Sequence, residues 1–237
     1  TCAASAGPAF EGSGVSCGMR ALSGAIESVC ISEDYSVSFR TISGIKPKGI
    51  CGSGFISLIS QMLDRGLMNK NGKINKVNCS RIRVTDLGKE FVVVPKEETD
   101  TNSDIVITEA DIDNLKRSKA AIYSAVAAIL KHTETNITKI GKIFIAGGFG
   151  LSLDIENAIK IGLLPDIERS RYVFIGNSSL KGARQILLST DAFNEAKDIS
   201  NKITYFELST DSSYMDEYVS ALFFPHTDLS KFPSLSN

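Results

Sequence analysis

The chain has 237 residues, of which 43% are apolar and 22% charged, and a formal net charge of −1. These proportions fit a folded globular domain and exclude a disordered polymer. Near-neutral charge argues against a general lysine/arginine surface of the kind nucleic acid requires, though not against local patches. The longest run without charge, 49–63, is too short to cross a bilayer and carries glycines and serines between Lys48 and Asp64. The first residue is Thr1 and the start does not resemble a signal peptide. The expectation is a cytoplasmic piece of a longer protein, with neither nucleic acid nor membrane as partner.

Residues 1–25 are rich in Gly, Ala and Ser and predict a backbone-dominated loop with a short helix near Phe10. Two strand-like runs follow at 25–31 and 36–42. A glycine-rich lead-in at 49–54 then precedes an amphipathic helix whose buried side is expected to be Phe55, Ile56, Leu58, Ile59, Met62 and Leu63, with Gly66 as its stop. Residues 69–80 read as a polar loop, 81–85 and 90–94 as a hairpin around Gly88, and 96–103 as a charged surface loop. Thr108, with Asp111 three residues on, is placed to cap a long helix to His132. Its expected buried side is Ile112, Leu115, Ile122, Val126, Ile129 and Leu130.

From there a strand, a glycine turn and a helix alternate. The strands are expected at 142–146, 172–175 and 204–208, and the helices at 154–161, 177–188, 191–202 and 214–223. Such alternation argues for an α/β layer. The five cysteines have no Cys-x-x-Cys spacing and are expected to be reduced thiols, with Cys79 the most exposed. The two histidines make no metal or catalytic set; His226, beside Pro225, is expected to be structural.

Glycine turns carry the candidate chemistry. Ile143-Phe144-Ile145-Ala146-Gly147-Gly148-Phe149-Gly150 is an apolar strand that runs into backbone with few side chains in the way. Glycine admits positive φ and lets a flat ligand or a phosphate approach the main chain, and open α/β sheets bind ligands at strand carboxyl ends. Leu153 stands where a dinucleotide fingerprint needs its third glycine, so that motif is excluded. A ligand-free turn is the plain alternative. Gly176, Asn177 and Ser178 repeat the device, and Asn177 or Ser178 is equally suited to helix capping. Gly52, Ser53 and Gly54 open a third helix and are read either as ligand contacts or as a plain turn; the lysine of a phosphate-binding P-loop does not follow them. Glu11 is the one carboxylate in the 4–12 stretch, suited either to orient water or a metal or, in its plain role, to balance a helix N-terminus.

The strings AGPAFEG, CGMRA, GAIE, ICGSG, DIVIT with DIDNLKRSKAAIY, IFIAGGFG, DIENAIKIGLLPD, FIGNSSLKGA and MDEYVSALFFPHTD, taken in order, resemble the C-terminal region of reductive activators of corrinoid proteins. The resemblance spans nearly all of 1–233. It implies half of an actin-like/sugar-kinase ATPase with a ribonuclease-H-like fold and an additional α+β subdomain inserted around 66–105. It also implies an activity that uses ATP, with Mg, to drive reduction of cobalt(II) corrinoid to cobalt(I) for methyl transfer. A corrinoid protein is the implied partner, with a homodimer also compatible. The strand-ending glycine pair at Gly147-Gly148 would lie near adenosine, with Gly176–Ser179 close by. Both phosphate-binding Asp-x-Gly-Thr turns are absent here, since Asp86-Leu87-Gly88-Lys89 is not one, so no catalytic residue is assigned. The iron–sulfur cluster (2Fe–2S or another type) is expected only in an upstream part. A docking module without its own ATPase activity, or half of a small-molecule kinase, is the alternative, and the stretch alone is expected to be a poor ATPase.

Overall fold

The computed structural model describes residues 1–147 and 153–235. The first layer is built on β1 (Ala25–Ile31), which pairs antiparallel with β2 (Val37–Thr41) and parallel with the two-residue β3 (Gly49–Ile50). The first turn near Phe10 is a single 3-10 turn, Ala9–Glu11. Helix α1 (Gly52–Asp64) packs on β1 and buries Phe55, Ile56, Leu58, Ile59 and Met62, while Leu63 is only half-buried.

β3 ends early, so part of one β1 edge has no strand beside it. Buried main-chain groups need partners, and α1 with its flank provides them. Ser57 Oγ accepts from Val29 N at 3.0 Å and donates to Val29 O at 2.7 Å. Gln61 Oε1 accepts from Ile31 N at 3.1 Å, and Arg65 Nε donates to Ile31 O at 2.7 Å. Side chains of a helix thus continue the ladder of a sheet.

A second antiparallel sheet, β4 (Ile82–Thr85), β5 (Gly88–Val94) and β6 (Ile105–Thr108), lies between α1 and α2 in the chain. Phe91, Val93, Val94, Ile105 and Ile107 join the same apolar core as β1 and α1. The hairpin at Gly88 matches the sequence pattern, and β6 adds a strand that the pattern did not lead one to expect. Thr108 then caps α2 (Glu109–His132) with a full capping box. Thr108 Oγ1 accepts from Asp111 N at 3.1 Å, and Thr108 N donates to Asp111 Oδ2 at 2.9 Å.

The buried side of α2 differs from the apolar stripe. Ile112 and Leu115 are buried, but Ile122, Val126, Ile129 and Leu130 are half-buried. The covered residues are Lys116, Ser118, Lys119, Ala120, Ala121, Tyr123, Ser124, Ala125 and Ala128. The cause is α6 (Ser212–Ala221), which lies along α2; small side chains let two helices approach.

The third layer is a parallel pair, β7 (Ile143–Ala146) and β8 (Tyr172–Gly176), with α3 (Ile155–Lys160) between them in the chain. Asp154 caps α3 by accepting from Asn157 N at 2.8 Å. α4 (Ser178–Leu188) and α5 (Thr190–Lys202) follow and bury none of their residues. Residues 204–208 are not a strand. Thr1 N donates to Thr204 O at 2.6 Å and Phe206 N to Thr1 O at 2.7 Å, which is one parallel pairing and no ladder.

All five cysteines are free, and Cys30 rather than Cys79 is exposed, because it lies on the outer face of β1. His226 is buried, and its Nδ1 accepts from Asp228 N at 2.9 Å. Among the described residues no helix is long and apolar enough to cross a membrane.

Candidate functional site

β7 and β8 run parallel, so their carboxyl ends lie together. The register holds from Ile143↔Tyr172 to Ile145↔Phe174 and then shifts, so that Ala146 faces Gly176. Gly147 N donates to Gly176 O at 2.8 Å, which locks the two strand ends side by side. Gly147 has φ +104 and Gly176 φ +67. Both values lie in the region that favours glycine. Among the described residues a Cβ at Gly147 would meet nothing within 4 Å.

Asn177 caps α4, its Oδ1 accepting from Leu180 N at 3.0 Å. Ser178 is the first residue of that helix, where main-chain N–H groups lack helical acceptors and favour anionic or polar ligand edges. Sequence reading passed over Lys181. Its Nζ donates to Ile175 O at 3.0 Å, and a Cβ at Gly176 would lie 3.9 Å from it. The signal for it was its place four residues after the capping Asn177. The structure therefore brings together Gly147, Gly176, Asn177 and Ser178, and adds an ammonium. Gly148, Phe149 and Gly150 lie outside the described residues.

Gly52, Ser53 and Gly54 have a different setting. All three are buried in the first turn of α1. A Cβ at Gly54 would stand 2.2 Å from Ile26 O, so this glycine permits close packing of α1 on β1. Ser53 Oγ lies 3.3 Å from Cys51 Sγ. This burial leaves the turn little surface to offer a ligand. Glu11 is exposed at the end of its 3-10 turn.

No group of three His, Cys, Asp or Glu residues among the described residues is placed to hold a metal ion. The glycine-lined strand ends do fit a flat nucleotide moiety lying against main chain.

A family model described as the C-terminal domain of RACo, the ASKHA domain, matches residues 1–236. The chain belongs to that family. It is 34% identical over 221 residues to "Corrinoid activation enzyme RamQ" of Eubacterium limosum, covering 90% of this chain and 37% of the relative. It is 24% identical over 245 residues to a Methanosarcina barkeri protein named as Co(II) methylated amine-specific corrinoid protein reductase, covering 94% of this chain and 42% of that one. A solved structure named "Reductive activator for corrinoid,iron-sulfur protein" superposes with a TM-score of 0.94 at 53% identity, over 99% of this chain and 38% of that chain. The chain spans roughly two fifths of the length of the relatives it matches. The α/β architecture is thus that of an ASKHA domain within a family of corrinoid activators.

Proposed function

We propose that this chain is the nucleotide-binding part of an ATP-dependent activator that reduces the cobalt(II) of a corrinoid protein to cobalt(I). The observation that carries the nucleotide reading is the pair of positive-φ glycines, Gly147 and Gly176, hydrogen-bonded at adjacent parallel strand ends and followed by a capped helix N-terminus. Adenosine lies against Gly147 and against Gly176, Asn177 and Ser178, and this reading extends to Gly148, Phe149 and Gly150. Gly52, Ser53 and Gly54 serve packing. Both the electron carrier and the metal-bound phosphate turns belong to other parts of the intact activator, and the stretch alone turns ATP over poorly.

Support for the corrinoid partner comes from the relatives, named as a corrinoid activation enzyme, a corrinoid protein reductase and a reductive activator for a corrinoid iron–sulfur protein. ATP binding would do work on the partner only by favouring one of two states of the complex.

The test uses the intact protein and its Gly147→Val variant. A branched side chain would stand where the ligand approaches Gly147 and oppose its backbone conformation. Calorimetry should show weaker ATP binding in a variant that remains folded, together with slower ATP-dependent loss of the cobalt(II) absorbance of the corrinoid protein. Unchanged ATP affinity removes the site assignment. Normal ATP binding by the wild type with no cobalt reduction removes the corrinoid reading and leaves the site.

A further inference from the structure

A cavity of about 380 Å³ lies between the loop of residues 5–14 and the N-terminal half of α2, and its walls include Ser5, Gly7, Ser13, Arg117, Ser118 and Tyr218. Three contacts hold it together. Asn114 Nδ2 donates to Gly14 O at 2.8 Å, while Ser16 donates to Asp111 Oδ1 through its main-chain N at 2.8 Å and its Oγ at 3.1 Å. The loop is thereby pinned to α2 at two successive helix turns. Gly7 and Gly14 have φ +66 and +76, and a Cβ at either would meet nothing within 4 Å. Main chain is therefore open on the loop side.

The polar groups of this cavity are unspent. Ser118 is 3% exposed, yet its hydroxyl has no hydrogen-bond partner among the described residues. A serine inside a helix ordinarily returns its hydroxyl to a carbonyl one turn back, as Ser124 does to Ala120 O at 2.7 Å in the same helix. Arg117, one residue earlier, forms no ion pair or hydrogen bond among the described residues, and neither do the hydroxyls of Ser5, Ser13 and Tyr218. No aspartate or glutamate lines the cavity. One guanidinium and four hydroxyls line the cavity and no carboxylate does; Arg117, Ser5 and Ser13 are exposed at its mouth, and Ser118 is the buried member of the set.

We infer that this cavity binds a phosphate-type oxyanion, with Arg117 and Ser118 as its principal donors. A guanidinium offers a planar fork of donors that matches phosphate oxygens, and the Ser118 hydroxyl, which has no protein partner and reaches the cavity surface of an otherwise buried residue, gains one when the anion enters. The inference rests on this cavity alone and not on the nucleotide reading of Gly147 and Gly176. The oxyanion belongs either to a nucleotide or to free phosphate.

The experiment titrates the intact protein with inorganic phosphate, ADP and adenosine, and compares Arg117→Gln and Ser118→Ala with wild type. Matching melting curves establish that the variants fold. Arg117→Gln is expected to weaken ADP or phosphate by about tenfold or more, the loss of a charged hydrogen bond, and to leave adenosine unchanged. ADP weakened without any phosphate binding identifies a nucleotide phosphate, and phosphate weakened as well shows that the free ion suffices. Unchanged affinities in a folded variant, or an equal loss for adenosine, overturn the inference. Should Arg117→Gln not fold, phenylglyoxal labelling of the wild type decides. Arg117 modified more slowly under phosphate or ADP but not under adenosine supports the site, and one rate under all conditions overturns it.

Discussion

Lys119 Nζ donates to the Pro225 carbonyl oxygen at 2.6 Å from a side chain with no solvent exposure. It also donates to Phe223 O and stands 5.3 Å from the centre of the Phe224 ring. A lysine in the middle of α2 thus ties down the segment that follows α6.

That tie makes a stability prediction. Burial, and then the charge of Lys116, hold the Lys119 pKa well below the ordinary lysine value. The charged form is therefore penalised in the fold. The penalty is complete below the depressed pKa and fades as pH rises toward the unfolded value. Lys119→Met removes the penalty but leaves two carbonyls without their donor, at roughly 1–3 kcal/mol each. The expected net effect is a loss of about 2 kcal/mol in urea unfolding at neutral pH, because two unpaired acceptors outweigh one relieved charge. A variant as stable as wild type would show that the tie contributes nothing.

Glu217 supplies an acid-side prediction. Its Oε1 lies 3.2 Å from His226 Nε2 and 2.5 Å from Lys231 Nζ. The His226 contact first, and then Lys231, lower the Glu217 pKa from 4.5 to about 2 against the opposing effect of burial. A lowered carboxylate pKa contributes stability that is present above pH 4.5 and is lost as pH falls toward 2. Glu217→Gln should therefore flatten the fall in unfolding free energy across that window. It should also lower stability at pH 7. Parallel curves for the two proteins would place the acid sensitivity elsewhere.

The local signals that came through the sequence are those carried by neighbouring residues. The capping box at Thr108 and Asp111, the hairpin at Gly88 and the strands ending at Gly147 and Gly176 all lie within a few residues of their own cause. What stayed hidden depends on partners distant in sequence. The buried face of α2 is set by α6, which begins about eighty residues later. The packing role of Gly54 depends on Ile26 O. Residues 204–208 have strand-like composition but only Thr1 to pair with. The setting of Arg117 and Ser118 depends on the loop of residues 5–14, which Asn114 holds through Gly14 from 100 residues away in sequence.

Two glycines in helices should respond oppositely to alanine. At Gly54 a Cβ would stand 2.2 Å from Ile26 O, and neither main chain can give way easily. Gly54→Ala should cost about 1–3 kcal/mol, the usual range for overpacking. At Gly182, inside α4, a Cβ would meet nothing within 4 Å. Gly182→Ala should stabilise by about 0.5–1 kcal/mol through helix propensity alone. Urea unfolding of the two variants checks both signs. A neutral Gly54→Ala would mean that α1 shifts on β1 more freely than this contact allows.

Asn177 separates two roles at the candidate nucleotide site. Its Oδ1 caps α4, a helix that buries none of its residues and so relies on its own ends. Asn177→Ala should cost about 1 kcal/mol, the usual value of a cap, and should weaken ATP binding because the turn after Gly176 loses its anchor. Asn177→Asp keeps an accepting oxygen in the same place, so stability should stay near wild type. It also adds a negative charge beside Gly176 and Ser178. If adenosine is the part of the nucleotide that lies there, ATP and adenosine affinities should both remain close to wild type in Asn177→Asp. If phosphates lie there instead, the added charge should weaken ATP much more than adenosine, and more strongly at low salt. Calorimetric titrations of both ligands at two ionic strengths distinguish these outcomes, and a selective, salt-dependent loss for ATP would move the phosphates to this strand end and the adenosine away from it.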